Sequence, residues 1–237
     1  MSQEENESMK IFHNTNDNIE NSIFSSHLDI EKEMLSLYHS LNLLLPDSTN
    51  KVIQFISSYE GEGATTLIRE LARIIVLKLK KVVLILYANC THCSQELSSY
   101  IEKVDYGLDE VIKADKSLNG ALYQVKDTSL YVSLISKNQN TLLPYVFDDY
   151  KIKNFWEKLK QRFDIILIDS PPVTASHDGL ILCSMVDGIV LVFEADKTQW
   201  TVAKNVKKEI LKSGGKILGI VFNKKKNYIP DFINKRL

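Results

Sequence analysis

One short stretch and one distant acid carry the residue types that could do phosphate chemistry in this 237-residue chain. Ser58 to Thr66 reads Ser-Tyr-Glu-Gly-Glu-Gly-Ala-Thr-Thr. Small residues there let backbone N–H groups point into a concavity, and a helix starting at its end adds partial positive charge. Such a cradle takes phosphate. In the pattern G-x-x-x-x-G-K-[ST], the Lys reaches the terminal phosphates and the next hydroxyl meets Mg²⁺. The spacing is kept, with Ser58 first, Gly63 second and Thr65 at the hydroxyl position, but the Lys position holds Ala64. The distant acid is Asp169, before Ser170-Pro171-Pro172. An Asp there can hold Mg²⁺, directly or through water, beside Thr65. Its bland alternative is a cap on the turn before the prolines.

The elements that must position these residues are legible. Lys51–Ser57 is an apolar run that reads as a buried strand, and from Ala64 to Leu79 the apolar residues recur at helical spacing. Further strands are expected over Val82–Tyr87, Leu130–Ile135, Phe163–Ile168, Gly188–Phe193 and Lys216–Phe222. Helices are expected over Tyr145–Arg162, Ser176–Met185 and Thr198–Ser213, with two short ones between Ser94 and Gln124. Before the loop, Ile30, Met34, Leu37, Tyr38, Leu41 and Leu44 share one helix face, which Pro46 ends. Alternating strand and helix predicts an α/β fold, a parallel sheet with helices on both faces. Ligands of such sheets sit beyond the carboxyl ends of the strands, where the loop and Asp169 would meet. Residues 1–27, rich in Glu, Asn and Ser, read as a mobile arm, and 28–237 as the domain.

Composition narrows the function classes. A net charge of -1 offers no field for nucleic acid, and 44% hydrophobic with 25% charged residues is ordinary for a soluble protein. Three Cys fit a reducing cytosol better than a disulfide framework. The acidic start is unlike a secretory signal, and Lys78, Lys80 and Lys81 break the most apolar stretch, Ile74 to Ala88. A cytoplasmic location is the expectation.

The order of motifs resembles the cytoplasmic domain of the bacterial tyrosine kinases (BY-kinases) of capsule and exopolysaccharide export, within the MinD/ParA-like P-loop superfamily. The resemblance spans roughly Asp29 to Leu237. It is carried by Lys51–Thr66, by Gly107-Leu108, and by Asp164 through Val173, which is similar to a Walker B run ending Asp-x-Pro-Pro. Asp187-Gly188-Ile189-Val190-Leu191-Val192, Thr198, Gly219-Ile220-Val221-Phe222-Asn223 and Tyr228-Ile229-Pro230 follow in order. It implies a P-loop NTPase-like, Rossmann-like sheet and a site for ATP or ADP with Mg²⁺. Gly61, Glu62, Gly63, Ala64, Thr65 and Thr66 would line the phosphates, Asn223 would face the adenine or simply end a strand, and Thr65 and Asp169 would hold the metal. Asp169 would be the catalytic residue of an active member.

The departures from the family pattern all bear on transfer. Its loop Lys is Ala64, and its second acidic motif, Asp-x-Asp-x-Arg, falls on Tyr87-Ala88-Asn89-Cys90-Thr91. Its assembly motif Glu-x-x-Arg-x-x-Arg falls on Glu33, Ser36 and His39, and no tyrosine follows Tyr228. A Lys about 4 Å from a phosphate charge is worth on the order of 4 kcal/mol at an effective dielectric near 20, about a thousandfold. Phosphoryl transfer works by positioning and charge stabilisation, so these losses strike the mechanism itself. The expectation is a catalytically degenerate relative with weak nucleotide binding. It would be a regulatory or structural partner of a membrane polysaccharide co-polymerase or chain-length regulator, held through it at the inner face of the plasma membrane, and self-associated or hetero-oligomeric. The alternatives are an active tyrosine kinase or ATPase with a relocated cation, and a MinD/ParA-like positioning factor.

Three other features carry bland readings. Cys90-Thr91-His92-Cys93 has metal-ligand types, but a structural zinc site needs a second pair, so no zinc is expected. The run Lys224-Lys225-Lys226 reads as a solvated end. The helix from Asp29 reads equally as an assembly surface and as packing on the domain's own core.

Overall fold

Strands buried on both faces have no polar side to show, and four segments here follow that rule. β1 (Lys51–Ser57), β2 (Val83–Tyr87), β5 (Ile165–Asp169) and β6 (Gly188–Glu194) are buried almost throughout. The computed structural model describes residues 30–47, 49–88, 102–114, 116–137 and 150–225. The arm expected over 1–27 lies outside them.

Among the described residues, seven strands form one sheet in the order β3-β4-β2-β5-β1-β6-β7, with β3 Tyr123–Gln124, β4 Leu130–Leu134 and β7 Ile217–Asn223. Every pairing is parallel except β3 with β4. Helices among the described residues include α1 (Glu31–Leu44), α2 (Ala64–Leu79), α3 (Leu108–Ala114), α4 (Tyr150–Arg162), α5 (Asp178–Ile181) and α6 (Trp200–Lys212). Alternate strand residues sort into different cores, as a period of two requires. Ile53, Phe55, Ile85 and Leu167 join Ile68, Leu71 and Ile75 of α2, whereas Val52, Leu84, Ile166 and Ile168 join Trp156 and Leu159 of α4. A third cluster puts Ile189, Leu191 and Phe193 against Val206 and Ile210 of α6.

Four local expectations are corrected. The strand expected over Phe163–Ile168 begins at Ile165, because the Asp164 carboxylate accepts from Val82 N–H at 2.7 Å and caps the neighbouring strand instead. The helix expected over Ser176–Met185 is α5 followed by a 3₁₀ turn, Leu182–Ser184. The stretch from Ser94 to Gln124 holds a short helix, Leu108–Ala114, as expected, but its second is a single 3₁₀ turn, Leu118–Ala121, and it closes in the short antiparallel β3. On α1, Met34, Tyr38 and Leu41 are buried against the core while Leu44 is exposed and Leu45 takes its place. That helix therefore packs on its own domain, with Glu33, Ser36 and His39 facing outward.

Candidate functional site

The register of the sheet puts the chemistry in one place. Phe55 of β1 lies opposite Asp169 of β5, and Tyr87 of β2 lies opposite the same Asp169 on its other side. The carboxyl ends of three adjacent strands therefore share one edge, where a ligand of an α/β sheet sits.

The segment after β5 continues along β1 into the loop. Ser170 N–H donates to Phe55 O at 3.3 Å, Val173 N–H to Ser57 O at 3.0 Å, and Thr174 N–H to Ser58 O at 3.2 Å. The Thr174 hydroxyl donates to Ser58 O as well. Asp169 thus begins a segment stitched to the loop, which is more than a cap on the Pro171-Pro172 turn.

Within the loop, Gly61 has φ +79° and Gly63 φ +92°, a left-handed geometry that suits glycine. A Cβ on Gly61 would meet open space, whereas one on Gly63 would overlap the Asn223 side-chain nitrogen. Gly63 is the N-cap of α2 and supplies no side-chain cap, so among the described residues the first N–H groups of that 16-residue helix have no capping side chain. Ser58 Oγ is buried without a hydrogen-bond partner among the described residues. An uncapped helix end behind two positive-φ glycines is a cradle that fits phosphate oxygens. Ala64 sits in its first turn, 7% exposed, and brings no charge to it.

Glu62 is turned inward and only 2% exposed. Its carboxylate accepts from Ser58 N–H at 2.6 Å and Tyr59 N–H at 2.9 Å, and its other oxygen takes the Thr198 hydroxyl. It ties both ends of the loop to the chain entering α6. Asn223 Nδ2 donates to Glu62 O at 2.9 Å, so that amide is engaged with the loop backbone. The Lys224 ammonium donates to Gly61 O and pairs with Glu194 at 3.2 Å. The expected solvated end is therefore in part a loop contact, while Lys226 lies outside the described residues. Lys197, and Lys224 after it, hold the Glu194 carboxyl below the usual carboxylate range.

Asp169 is buried, and burial pushes its carboxyl from the ordinary 3.8 up to about 6, with a hydrogen bond from the Thr65 side chain pulling the other way. Thr65 and Asp169 are thus side by side, a hydroxyl and a carboxylate fit for one Mg²⁺. On the far side of Asp169 stands Tyr87, 3% exposed, followed by Ala88, whose N–H donates to Asp169 O at 2.9 Å. Asn89, Cys90, Thr91, His92 and Cys93 lie outside the described residues. Cys183 is buried in the third core cluster, and burial pushes its thiol up to about 12.

The structure brings Gly61, Glu62, Gly63, Ala64, Thr65, Thr66 and Asp169 to one strand-end edge, with Asn223 behind the loop. Sequence reasoning did not find the carboxylate link from Glu62 to Thr198, nor Lys224 on Gly61. Thr198, Asn223 and Glu62 each stood out by resemblance, but the contacts that join them did not.

Four similarities bear on this geometry. A family model described as an AAA domain, AAA_31, matches residues 50–198. The tyrosine-protein kinase CpsD of Streptococcus agalactiae is similar, 27% identical over 186 residues that make up 77% of this chain and 79% of that protein. The kinase domain of the Escherichia coli tyrosine kinase ETK has a similar fold, with a TM-score of 0.70 at 16% identity over 84% of this chain and 79% of that one. The septum site-determining protein MinD of Pyrococcus horikoshii, complexed with Mg-ADP, superposes with a TM-score of 0.56 at 21% identity, covering 78% of this chain and 76% of that one.

Proposed function

Taking as premise that the chain belongs to the AAA_31 family of AAA domains and is a BY-kinase-like P-loop domain, we propose that it is a catalytically degenerate member. It takes nucleotide phosphates and does not transfer them. The observation that carries this reading is Ala64, a nearly buried methyl in the first turn of α2 where the loop pattern requires a cation. Tyr87 beside Asp169 supports it, because a buried aromatic stands where the resemblance implies an acid.

The residues that remain have binding roles. The open helix end and the loop amides would hold phosphate oxygens, and Thr65 with Asp169 would hold a Mg²⁺, which would neutralise phosphate charge when bound. Asp169, raised to about 6, is charged at neutral pH and ready for a cation. The Lys224 ammonium does not replace the missing lysine: it sits on the Gly61 carbonyl, and in a trans peptide that side faces away from the N–H donors.

In this reading the protein is a regulatory or structural partner in capsule or exopolysaccharide synthesis. It would work through a membrane polysaccharide co-polymerase, by self-association or in a hetero-oligomer, at the inner face of the membrane. Among the described residues no helix is long and apolar enough to cross a membrane. The test incubates the purified protein with saturating Mg²⁺-ATP and follows phosphate release and phosphotyrosine. Neither should exceed the buffer rate. Turnover abolished by Asp169→Ala would overturn the proposal, and recovery of no membrane polysaccharide protein in a pull-down would remove the partner half of it.

A further inference from the structure

We propose that Asn223 and Lys224, at the end of β7, are positioning residues for a bound polyphosphate, acting on the loop backbone rather than on the nucleotide. Asn223 Nδ2 holds Glu62 O at 2.9 Å and the Lys224 ammonium holds Gly61 O, two consecutive carbonyls of the loop. A trans peptide points its C=O and the following N–H in opposite directions. Holding the Gly61 and Glu62 carbonyls on the β7 side therefore turns the N–H groups of Glu62 and Gly63 to the other side, toward an anion. Successive amides aligned in this way make an anion-binding nest.

The clamp is itself held in shape. Asn223 Oδ1 accepts from Lys224 N–H at 2.9 Å, which fixes which end of the amide faces the loop. Lys224 takes φ +55°, a left-handed conformation uncommon for a residue with a side chain. Glu194 anchors the ammonium from the other side. Gly63 leaves the space that Asn223 occupies. With Ala64 contributing no charge, amide direction is the chief means the loop has left to attract phosphate. The inference rests on the reading above that the cradle takes nucleotide phosphates, and not on the silence of transfer.

The experiment titrates the full chain with Mg²⁺-ADP, Mg²⁺-ATP and inorganic tripolyphosphate by calorimetry, for the wild type, Asn223→Ala, Lys224→Ala and Lys224→Arg. Melting curves without ligand are recorded in parallel. Asn223→Ala should weaken all three ligands roughly tenfold, about 1.4 kcal/mol. Lys224→Ala should weaken them several-fold, and Lys224→Arg should restore most of that. Tripolyphosphate decides the matter because it has no base: if Asn223 only faced adenine, its affinity would be unchanged, and the proposal would fall. It would fall equally if the variants lost thermal stability while each folded molecule kept its affinity, or if the wild type bound none of the three. Lys224 is exposed, so its variants report even if Asn223→Ala folds poorly. Binding that ignores both residues would sink the clamp alone, whereas ATP turnover would sink the degenerate reading alone.

Discussion

Gly63 and Asn223 are fitted to one another: a methyl group on Gly63 would occupy the place of the Asn223 side-chain nitrogen, which instead donates to the carbonyl of Glu62. The loop is shaped from behind by the end of the strand that closes the sheet's edge.

Gly63→Ala should therefore be costly for two reasons. Its φ of +92° strains any side chain, and the added Cβ displaces Asn223. We expect a loss of about 2 kcal/mol or more, read as a lower urea midpoint, together with loss of ADP binding. Gly61→Ala meets open space and should cost only its backbone strain, about 1 kcal/mol.

Glu62 gives a second prediction. Its buried carboxylate satisfies Ser58 N–H, Tyr59 N–H and the Thr198 hydroxyl. Glu62→Gln exchanges one acceptor oxygen for a donor nitrogen and should destabilise by roughly 2 kcal/mol, with Thr198→Val costing about 1 kcal/mol. A double-mutant cycle in chemical denaturation should show the two effects to be coupled.

The Asp169 carboxyl predicts a pH dependence. Its folded value of about 6 lies above the ordinary 3.8, so the folded state binds the proton more tightly than the unfolded chain does. The stability this gives is full below 3.8 and is lost as pH rises through about 6. The difference is worth roughly 3 kcal/mol. Asp169→Asn should thus melt higher than the wild type at pH 8 and equal it near pH 4. Mg²⁺ with ADP should narrow the gap at pH 8 by favouring the charged wild-type carboxyl.

Ala64→Lys restores the cation in the first turn of α2. We expect ADP and ATP affinity to rise tenfold or more, with ATP turnover staying at the buffer rate because Tyr87 still stands beside Asp169. Calorimetry and a phosphate-release assay on the same preparation check both halves.

The two elements that frame the site were legible to the residue. Lys51–Ser57 is continuously apolar apart from its ends and Gln54, and Ala64–Leu79 has a single helical stripe, so burial dictated both. The departures at Ala64 and Tyr87 were equally plain, because a missing charge at a spaced position is a property of the chain itself. The short β3 and the split helix after Pro172 were not legible, since segments that brief carry too few periods to tell strand from helix.

What the amino-acid order determined by itself was the alternation of buried strands and amphipathic helices, and with it the meeting of the loop and Asp169 at one edge. Tertiary structure alone decided how the loop is held: Thr198 reaches Glu62 across 136 positions, Asn223 reaches it across 161, and Lys224 reaches Gly61 across 163. The physical reason is that two of these contacts end on backbone carbonyls, which every residue carries and which leave no signature in sequence. The third joins a carboxylate to a hydroxyl that only the pairing of β6 beside β1 brings within reach.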